Sequence, residues 1–387
     1  MESGIKILHV VSISFSLPYF IGDQFDYFRK QGVQFYVASS PSPHFSKYAA
    51  EKHFVPLEVN ILRSISPLKD LKAVWQLSKE IRKNNIRTVI GHTPKGGLIA
   101  MLAAKLAGVK ATVYFRHGIM YETSTGLKRA LLKSIERLTG ALASRVVCVS
   151  ESIKRISEEE HLSARDKNVI LASGSCNGID ARGHFNPVHT DLLLIHNMRK
   201  ELRIAEDDFV VGFVGRLVRD KGIQELVQAW KQLRSKHRNI KLLLVGPLEE
   251  RDSLDEQTKQ DILTDPTIIF TGLVEDARNF YALMNAFILP SYREGFPTVV
   301  LEASAMALPV IATKVTGCID AVKADETGMF CRHDPDDIAE KIRLLYENRE
   351  QARELGIRGR EWVLADFEQE KVWKDIERLI CGLHDDR

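Results

Sequence analysis

Short apolar runs recur along this chain, and segments with helical apolar spacing fall between them. In the first half the runs lie at 5–11, 34–38, 88–90, 111–114 and 145–149. In the second they lie near 210–214, 241–245, 268–270, 286–289 and 309–312. A run that is apolar on both sides suits a strand covered on both faces, and parallel neighbours must be joined by a crossover, usually a helix. The alternation therefore predicts an α/β chain of parallel sheets with helices on both faces. Helices are expected around 24–31, 67–84, 97–107, 126–143 and 368–382. The second of these would place Leu68, Leu71, Val74, Trp75 and Ile81 on one inward stripe. The chain has 387 residues, enough for two domains of ordinary size. The pattern loosens over 183–208, where Asn186-Pro187 occurs, so the division is expected between a domain over 1–185 and a second over 186–367.

Charge and cysteine content narrow the function. Lys and Arg number 54 against 51 Asp and Glu, a net charge of +3, too balanced for a nucleic-acid binder. The five cysteines are scattered without a Cys-x-x-Cys pair, which argues against structural zinc or a disulfide framework and fits a reducing cytosol. No apolar run reaches the length of a membrane span. The residues after Met1 lack a basic leader and read as a first strand rather than a signal peptide. No Gly-x-Gly-x-x-Gly follows that strand, so a nicotinamide-dependent oxidoreductase is poorly supported. The stretch Gly91-His92-Thr93-Pro94-Lys95-Gly96-Gly97 nearly has the spacing of a nucleotide P-loop, but Gly97 stands where the lysine belongs.

Two strand-to-helix joints in the second half carry the chemistry. The run ending in Val214 leads into Gly215-Arg216-Leu217-Val218-Arg219-Asp220-Lys221-Gly222. Ligands of open α/β sheets bind at the carboxyl ends of strands, where Arg216 and Lys221 fall. A guanidinium and a compact ammonium suit a pyrophosphate held without a metal. The alternative is a pair of surface cations around a turn. The run Ala286-Phe287-Ile288-Leu289-Pro290 leads into Arg293-Glu294-Gly295-Phe296-Pro297-Thr298-Val299-Val300-Leu301-Glu302-Ala303. Pro297 or Thr298 suits a helix start. Glu294 then sits on the loop and Glu302 near the first turns of the helix. Between them, free backbone N–H groups and the positive helix end offer a seat for phosphate. Two glutamates around such a joint could equally be solvated.

Together, Gly215-Arg216-Leu217 with Lys221-Gly222, and Glu294-Gly295-Phe296-Pro297 with Glu302-Ala303, resemble the motifs of the family 4 glycosyltransferases. The resemblance extends to His92–Gly97, Arg116-His117-Gly118, Val149-Ser150-Glu151-Ser152 and Asn177-Gly178-Ile179-Asp180, and so over nearly the whole chain. It is nearest to the bacterial branch that builds capsular, O-antigen or other lipid-linked oligosaccharides. It implies the GT-B architecture, two facing Rossmann-like domains, with the terminal helix at 368–387 packing back on the first. The first domain would bind acceptor and the second the donor. The implied reaction is a retaining transfer of a hexose or N-acetylhexosamine from a nucleotide-diphosphate sugar, expected to be a UDP-sugar, onto a lipid-linked acceptor. In the resembled family the leaving phosphate itself takes the acceptor's proton. The same fold houses sugar-nucleotide 2-epimerases, and a non-catalytic nucleotide-sugar binder is the rival from another class.

On this resemblance Arg216 and Lys221 stabilise the departing diphosphate and Glu294 holds donor-sugar hydroxyls. Glu302 accepts from the ribose, and backbone at Gly215, Gly295, Phe296, Pro297, Thr298 and Val299 lines the phosphate seat. The base would meet main chain at Leu273-Val274. No cofactor and no metal are expected. His117 is expected near the transferred sugar, positioning it and helping electrostatically. Lys95 would reach acceptor phosphate, unless its loop is only a tight turn. The loop Ser12-Ile13-Ser14-Phe15-Ser16-Leu17-Pro18-Tyr19-Phe20 departs from the family, many of whose members have a Gly-Gly pair there. Its aromatic character assigns Phe15 and Ser16 to acceptor contact instead. Lys128, Arg129, Lys133 and Arg137 form a basic face on the helix at 126–143, which suits either an anionic membrane or plain solvent. The expected location is the cytoplasm, with peripheral attachment to the inner face of the cytoplasmic membrane as an option.

Overall fold

In the first of the chain's two units, seven parallel strands form a single sheet. They are β1 (Lys6–Val10), β2 (Gln34–Ser39), β3 (Val55–Glu58), β4 (Thr88–His92), β5 (Ala111–Arg116), β6 (Arg145–Cys148) and β7 (Asn168–Val169), in the spatial order 3-2-1-4-5-6-7. This computed structural model describes residues 4–62, 66–250 and 252–385. The central strands β1, β4 and β5 are buried almost throughout, as their uninterrupted apolar character requires. The strand order reverses between β1 and β4, so the loops leaving these two strands open on the switch point where α/β sheets receive ligands.

The second unit repeats the plan with β8 (Phe209–Val214), β9 (Ile240–Val245), β10 (Ile268–Phe270), β11 (Ala286–Leu289), β12 (Val310–Thr313) and β13 (Gly328–Cys331), ordered 10-9-8-11-12-13. Its switch point lies between β8 and β11, the two strands whose loops carry the cationic and acidic motifs. One apolar core runs across this sheet, from Phe209, Phe213 and Trp230 to Phe287, Ile311 and Ile338.

The division falls between Gly178 and Ile179 rather than at 185/186, and the chain returns to the first unit at Glu370. Core burial explains the shift. Ile179 and Ala181 pack with Leu301, Ala305, Val363 and Phe367 of the second unit. The Ile179 N–H donates to the Phe367 carbonyl (2.9 Å), and the Gln369 N–H donates to that of Ile179 (3.1 Å). The terminal helix Gln369–Asp385 belongs, from Glu370, to the first unit. There Trp373 Nε1 donates to Asn177 Oδ1 (2.8 Å) and Asp375 accepts from the Ala172 N–H (2.8 Å).

Three further features differ from expectation. The loose stretch 183–208 contains a helix, Leu192–Glu201, capped by Asp191 accepting from the Leu193 and Leu194 N–H groups. Strands β3, β7 and β13 are sheet edges that were not anticipated, being short or interrupted by proline or glycine. On helix Pro67–Lys83 the buried stripe is Ala73, Val74, Leu77, Ser78 and Ile81. Leu68 is 85% exposed, Leu71 67% and Trp75 55%, so those three face outward.

Candidate active site

In the second unit three close approaches of backbone shape the site. Gly222 has φ +67°, and a Cβ there would lie 2.1 Å from the Pro290 carbonyl oxygen. No other residue lets the short 3-10 turn Arg219–Lys221 close onto the end of β11. Gly246 has φ +137°, and its Cβ would lie 2.0 Å from the Gly215 carbonyl oxygen. Its N–H donates to the Gly272 carbonyl (3.0 Å), so the loops leaving β8, β9 and β10 are bound edge to edge. Val274, partly buried, lies two residues after Gly272, with the exposed Leu273 between them. Gly317 meets Gly295 in the same manner.

These approaches bring the sequence motifs together. Lys221 Nζ lies 2.5 Å from Glu294 Oε1, with the two side chains only 19% and 11% exposed. Arg216 pairs with Glu249 at 2.9 Å and is half exposed. The helix after the acidic loop is Thr298–Ala305, and Pro297 at its N-cap supplies no side-chain acceptor. The helix starts four residues after Glu294, and its N-terminus is the end where the dipole favours an anion. Phe296 is anchored against Phe367, ring centroids 5.4 Å apart.

Glu302, one turn into that helix, is buried and accepts from the Tyr281 hydroxyl at Oε2 (2.7 Å). Burial pushes its pKa up from the ordinary 4.5 to about 7, the Tyr281 hydrogen bond opposes the rise, and the charge of Asp276 adds to it. An acid that needs little energy to ionise at neutral pH is suited to accepting from ligand hydroxyls. Among the described residues no group of three His, Cys, Asp or Glu side chains is placed to hold a metal ion.

In the first unit three imidazoles form a chain across neighbouring strands. His9 Nδ1 lies 2.9 Å from His92 Nε2, and His92 Nδ1 lies 3.0 Å from His117 Nε2. Phe20 stacks on His117 with centroids 3.8 Å apart. Burial depresses the pKa of His9 and of His117 to about 3 and that of His92 well below its usual value. His117 is therefore neutral. Its neighbour Arg116 is a core residue, paired with the buried Glu136 at 3.0 Å.

Other first-unit candidates are engaged elsewhere. Lys95 pairs with Asp70 (2.7 Å). Gly97 serves packing, since its Cβ would lie 2.4 Å from the Tyr114 ring. Phe15 is exposed beside Tyr19 and His44, whereas Ser16 Oγ donates to the Ile13 carbonyl (2.7 Å). The basic face of helix Gly126–Leu142 is partly neutralised. Arg129 and Lys133 both pair with Glu160 (3.3 and 2.9 Å), and Arg137 donates to its backbone carbonyl (3.0 Å), so among the described residues Lys128 and Arg137 are the exposed cations of the four that make no ion pair.

Tyr281, Phe20, His9 and His92 as a ring partner were missed from sequence. A histidine inside an otherwise apolar strand run, as at His9 and His92, is a signal that could have found two of them. Nothing in the spacing joins Phe20 to His117 or Tyr281 to Glu302.

Two Rossmann-like units, each with its loops gathered at a switch point, define the GT-B class of glycosyltransferases. The solved structure of Anabaena HepE in complex with UDP-glucose superposes with a TM-score of 0.81 at 19% identity, over 98% of this chain and all of that one. The profile described as Glycosyltransferase Family 4 matches residues 20–174, and that described as Glycosyl transferases group 1 matches 195–362. The Staphylococcus aureus capsular polysaccharide biosynthesis glycosyltransferase CapM is 34% identical over 376 residues, 97% of this chain and 96% of its own. The Escherichia coli UDP-Gal:alpha-D-GlcNAc-diphosphoundecaprenol alpha-1,3-galactosyltransferase is 26% identical over 295 residues, 76% of this chain and 73% of its own. The chain belongs to glycosyltransferase family 4.

Proposed function

We propose that this glycosyltransferase moves a hexose or N-acetylhexosamine from a UDP-sugar to a lipid-linked saccharide, with retention at the anomeric carbon, in the assembly of a bacterial surface polysaccharide. The observation that carries the reading is the Lys221–Glu294 pair at the open start of helix Thr298–Ala305. An ammonium has three N–H donors; Glu294 takes one, leaving two for phosphate oxygens. As the bond from anomeric carbon to phosphate breaks, its electron pair passes to the diphosphate. Lys221, Arg216 and the N–H groups at Thr298 and Val299 stabilise that growing charge. The acceptor hydroxyl bonds to the same face of the sugar and its proton passes to the leaving phosphate.

Glu294 keeps its second oxygen for a donor-sugar hydroxyl, and Glu302 accepts from the ribose. Main chain at Gly215, Gly295, Phe296 and Pro297 borders the phosphates, and Val274 borders the base. His117 acts in the first unit as a substrate-positioning hydrogen-bonding group, with Phe15 on the acceptor side. The diphosphoundecaprenol in the Escherichia coli relative's name and the capsular role in the Staphylococcus name support the lipid-linked acceptor.

No described helix is long and apolar enough to cross a membrane. The first unit instead offers helix Pro67–Lys83 as a peripheral contact. Leu68, Leu71 and Trp75 project beside the exposed Lys69, Lys72 and Lys79, with Lys79 Nζ 3.5 Å from the Trp75 ring centroid. Exposed leucine, an interfacial tryptophan and lysines suit an anionic lipid surface. A peripheral contact of this kind is compatible with work at the cytoplasmic face of the membrane.

The test is a panel of UDP-glucose, UDP-galactose, UDP-N-acetylglucosamine and UDP-N-acetylgalactosamine, each with undecaprenyl-diphosphate-linked N-acetylglucosamine. Acceptor-dependent release of UDP and an α-linked product are expected. Epimerised UDP-sugar formed without acceptor, or donor binding without turnover, would replace the transferase reading with one of its two rivals.

A further inference from the structure

The three-imidazole chain has a property that none of its members has alone. A neutral imidazole carries one N–H and one bare nitrogen, so each ring in a chain must donate at one end and accept at the other. With His9 Nδ1 facing His92 Nε2 and His92 Nδ1 facing His117 Nε2, only two proton arrangements satisfy both contacts. In one, every ring carries its proton on Nδ1. In the other, every ring carries it on Nε2. The tautomer of His117 is thus tied to that of His9, which lies on β1 while His92 ends β4 and His117 follows β5.

The far end of the chain selects between the two. His9 is buried against Phe25 and Phe35, with centroids 6.2 and 5.5 Å away. Among the described residues its Nε2 has no hydrogen-bond partner, its one polar contact being made through Nδ1. A proton on His9 Nε2 would face the apolar rings of Phe25 and Phe35 with no acceptor, whereas His117 is partly exposed, so a proton on its Nδ1 can meet solvent or substrate. The bare nitrogen therefore belongs at His9 Nε2. Burial also keeps all three rings neutral near pH 7, which the chain requires.

We propose that His9 and His92 are positioning residues that hold His117 as its Nδ1–H tautomer, so that His117 presents a fixed hydrogen-bond donor to a substrate oxygen at the carboxyl edge of the first-unit sheet. In water the neutral histidine side chain favours the opposite, Nε2–H form. The chain thus imposes a proton position that an isolated His117 would not adopt, while Phe20, stacked 3.8 Å away, holds the ring plane. The use of that donor by substrate rests on the reading given under Proposed function. The tautomer itself does not.

The free full-length protein, labelled with 15N-histidine, tests the chain at pH 7 through long-range proton–nitrogen correlations, with signals assigned by loss in His9→Gln, His92→Gln and His117→Gln. All three rings are expected as Nδ1–H. An Nε2–H signal from His117 in the native protein overturns the proposal without any variant having to fold. His92→Leu should release His117 to the Nε2–H form and lower turnover in the panel assay by about tenfold. His92→Gln should restore both, since its amide can accept from His9 Nδ1–H and donate to His117 Nε2. Loss of turnover in His92→Leu and His92→Gln alike, with His117 still Nδ1–H in both, would show a merely structural role for His92 and overturn the proposal. If His117 is Nδ1–H but His117→Ala turns over normally, the tautomer chain stands and the substrate role of His117 falls.

Discussion

Replacing Glu302 by glutamine should strengthen the free fold and weaken the donor complex, and both effects should follow pH. Glu302 is buried beside Tyr281 with a pKa raised from 4.5 to about 7. A folded-state pKa above the unfolded value means that the fold binds the proton more tightly. The carboxyl group therefore contributes stability below the unfolded pKa, and that contribution is lost as pH rises through the folded one. Over the window from pH 5 to pH 8 the loss comes to about 2–3 kcal/mol, at about 1.4 kcal/mol per pKa unit. Glutamine does not titrate, and its Oε1 can still accept from Tyr281. Glu302→Gln should therefore gain about 2–3 kcal/mol on the native protein between pH 5 and pH 8. Hydrogen exchange of the β8 and β11 amides across a guanidinium series would report the second unit alone. For UDP-glucose, whose phosphates do not titrate in this range, native affinity should rise with pH up to about 7 and then level, because Glu302 must release its proton to accept from the ribose. In the variant it should be flat with pH and about ten- to a hundredfold weaker at pH 8, the scale of a lost charge-assisted hydrogen bond. A stability difference that does not vary with pH would refute the raised pKa, and unchanged UDP-glucose affinity would refute the ribose contact.

Lys221→Ala should lower turnover by about a hundredfold or more at saturating donor, with Arg216→Ala acting in the same direction and the double variant falling short of the product. Near-normal turnover would reduce Lys221 to a structural partner of Glu294; because that pair is mostly buried, the free protein should also lose stability, visible as a lower Tm. Transfer should persist in excess EDTA, and abolition with rescue by magnesium or manganese would show that the two cations do not suffice. Combined Leu71→Ser and Trp75→Ser substitutions should reduce sedimentation with anionic vesicles more than reversing Lys128, Arg129, Lys133 and Arg137 to glutamate. The reason is that Glu160 already engages three of those four basic groups; the opposite ranking would move the membrane contact to helix Gly126–Leu142.

The sequence by itself determined the parts of this protein that are written in local pattern. Buried parallel strands need continuous apolar runs, so β1, β2, β4 to β6 and β8 to β12 were legible, and with them the loops bearing Arg216, Lys221 and Glu294. Among the edge strands β10 is apolar throughout and was legible, whereas β3 and β13 hold a proline or glycine and β7 is only two residues long, so those three left no such trace. Helical spacing placed helix Pro67–Lys83 but not its inward face, because apolar residues on two sides of a helix satisfy the same period. Tertiary structure decided which distant residues meet. Gly222 against Pro290 brings Lys221 to Glu294, Tyr281 reaches Glu302, and the strand order 1-4-5 sets His9, His92 and His117 in one line. Such pairings arise from how strands are ordered in a sheet and how closely their loops approach. Neither is encoded in the spacing of residues along the chain.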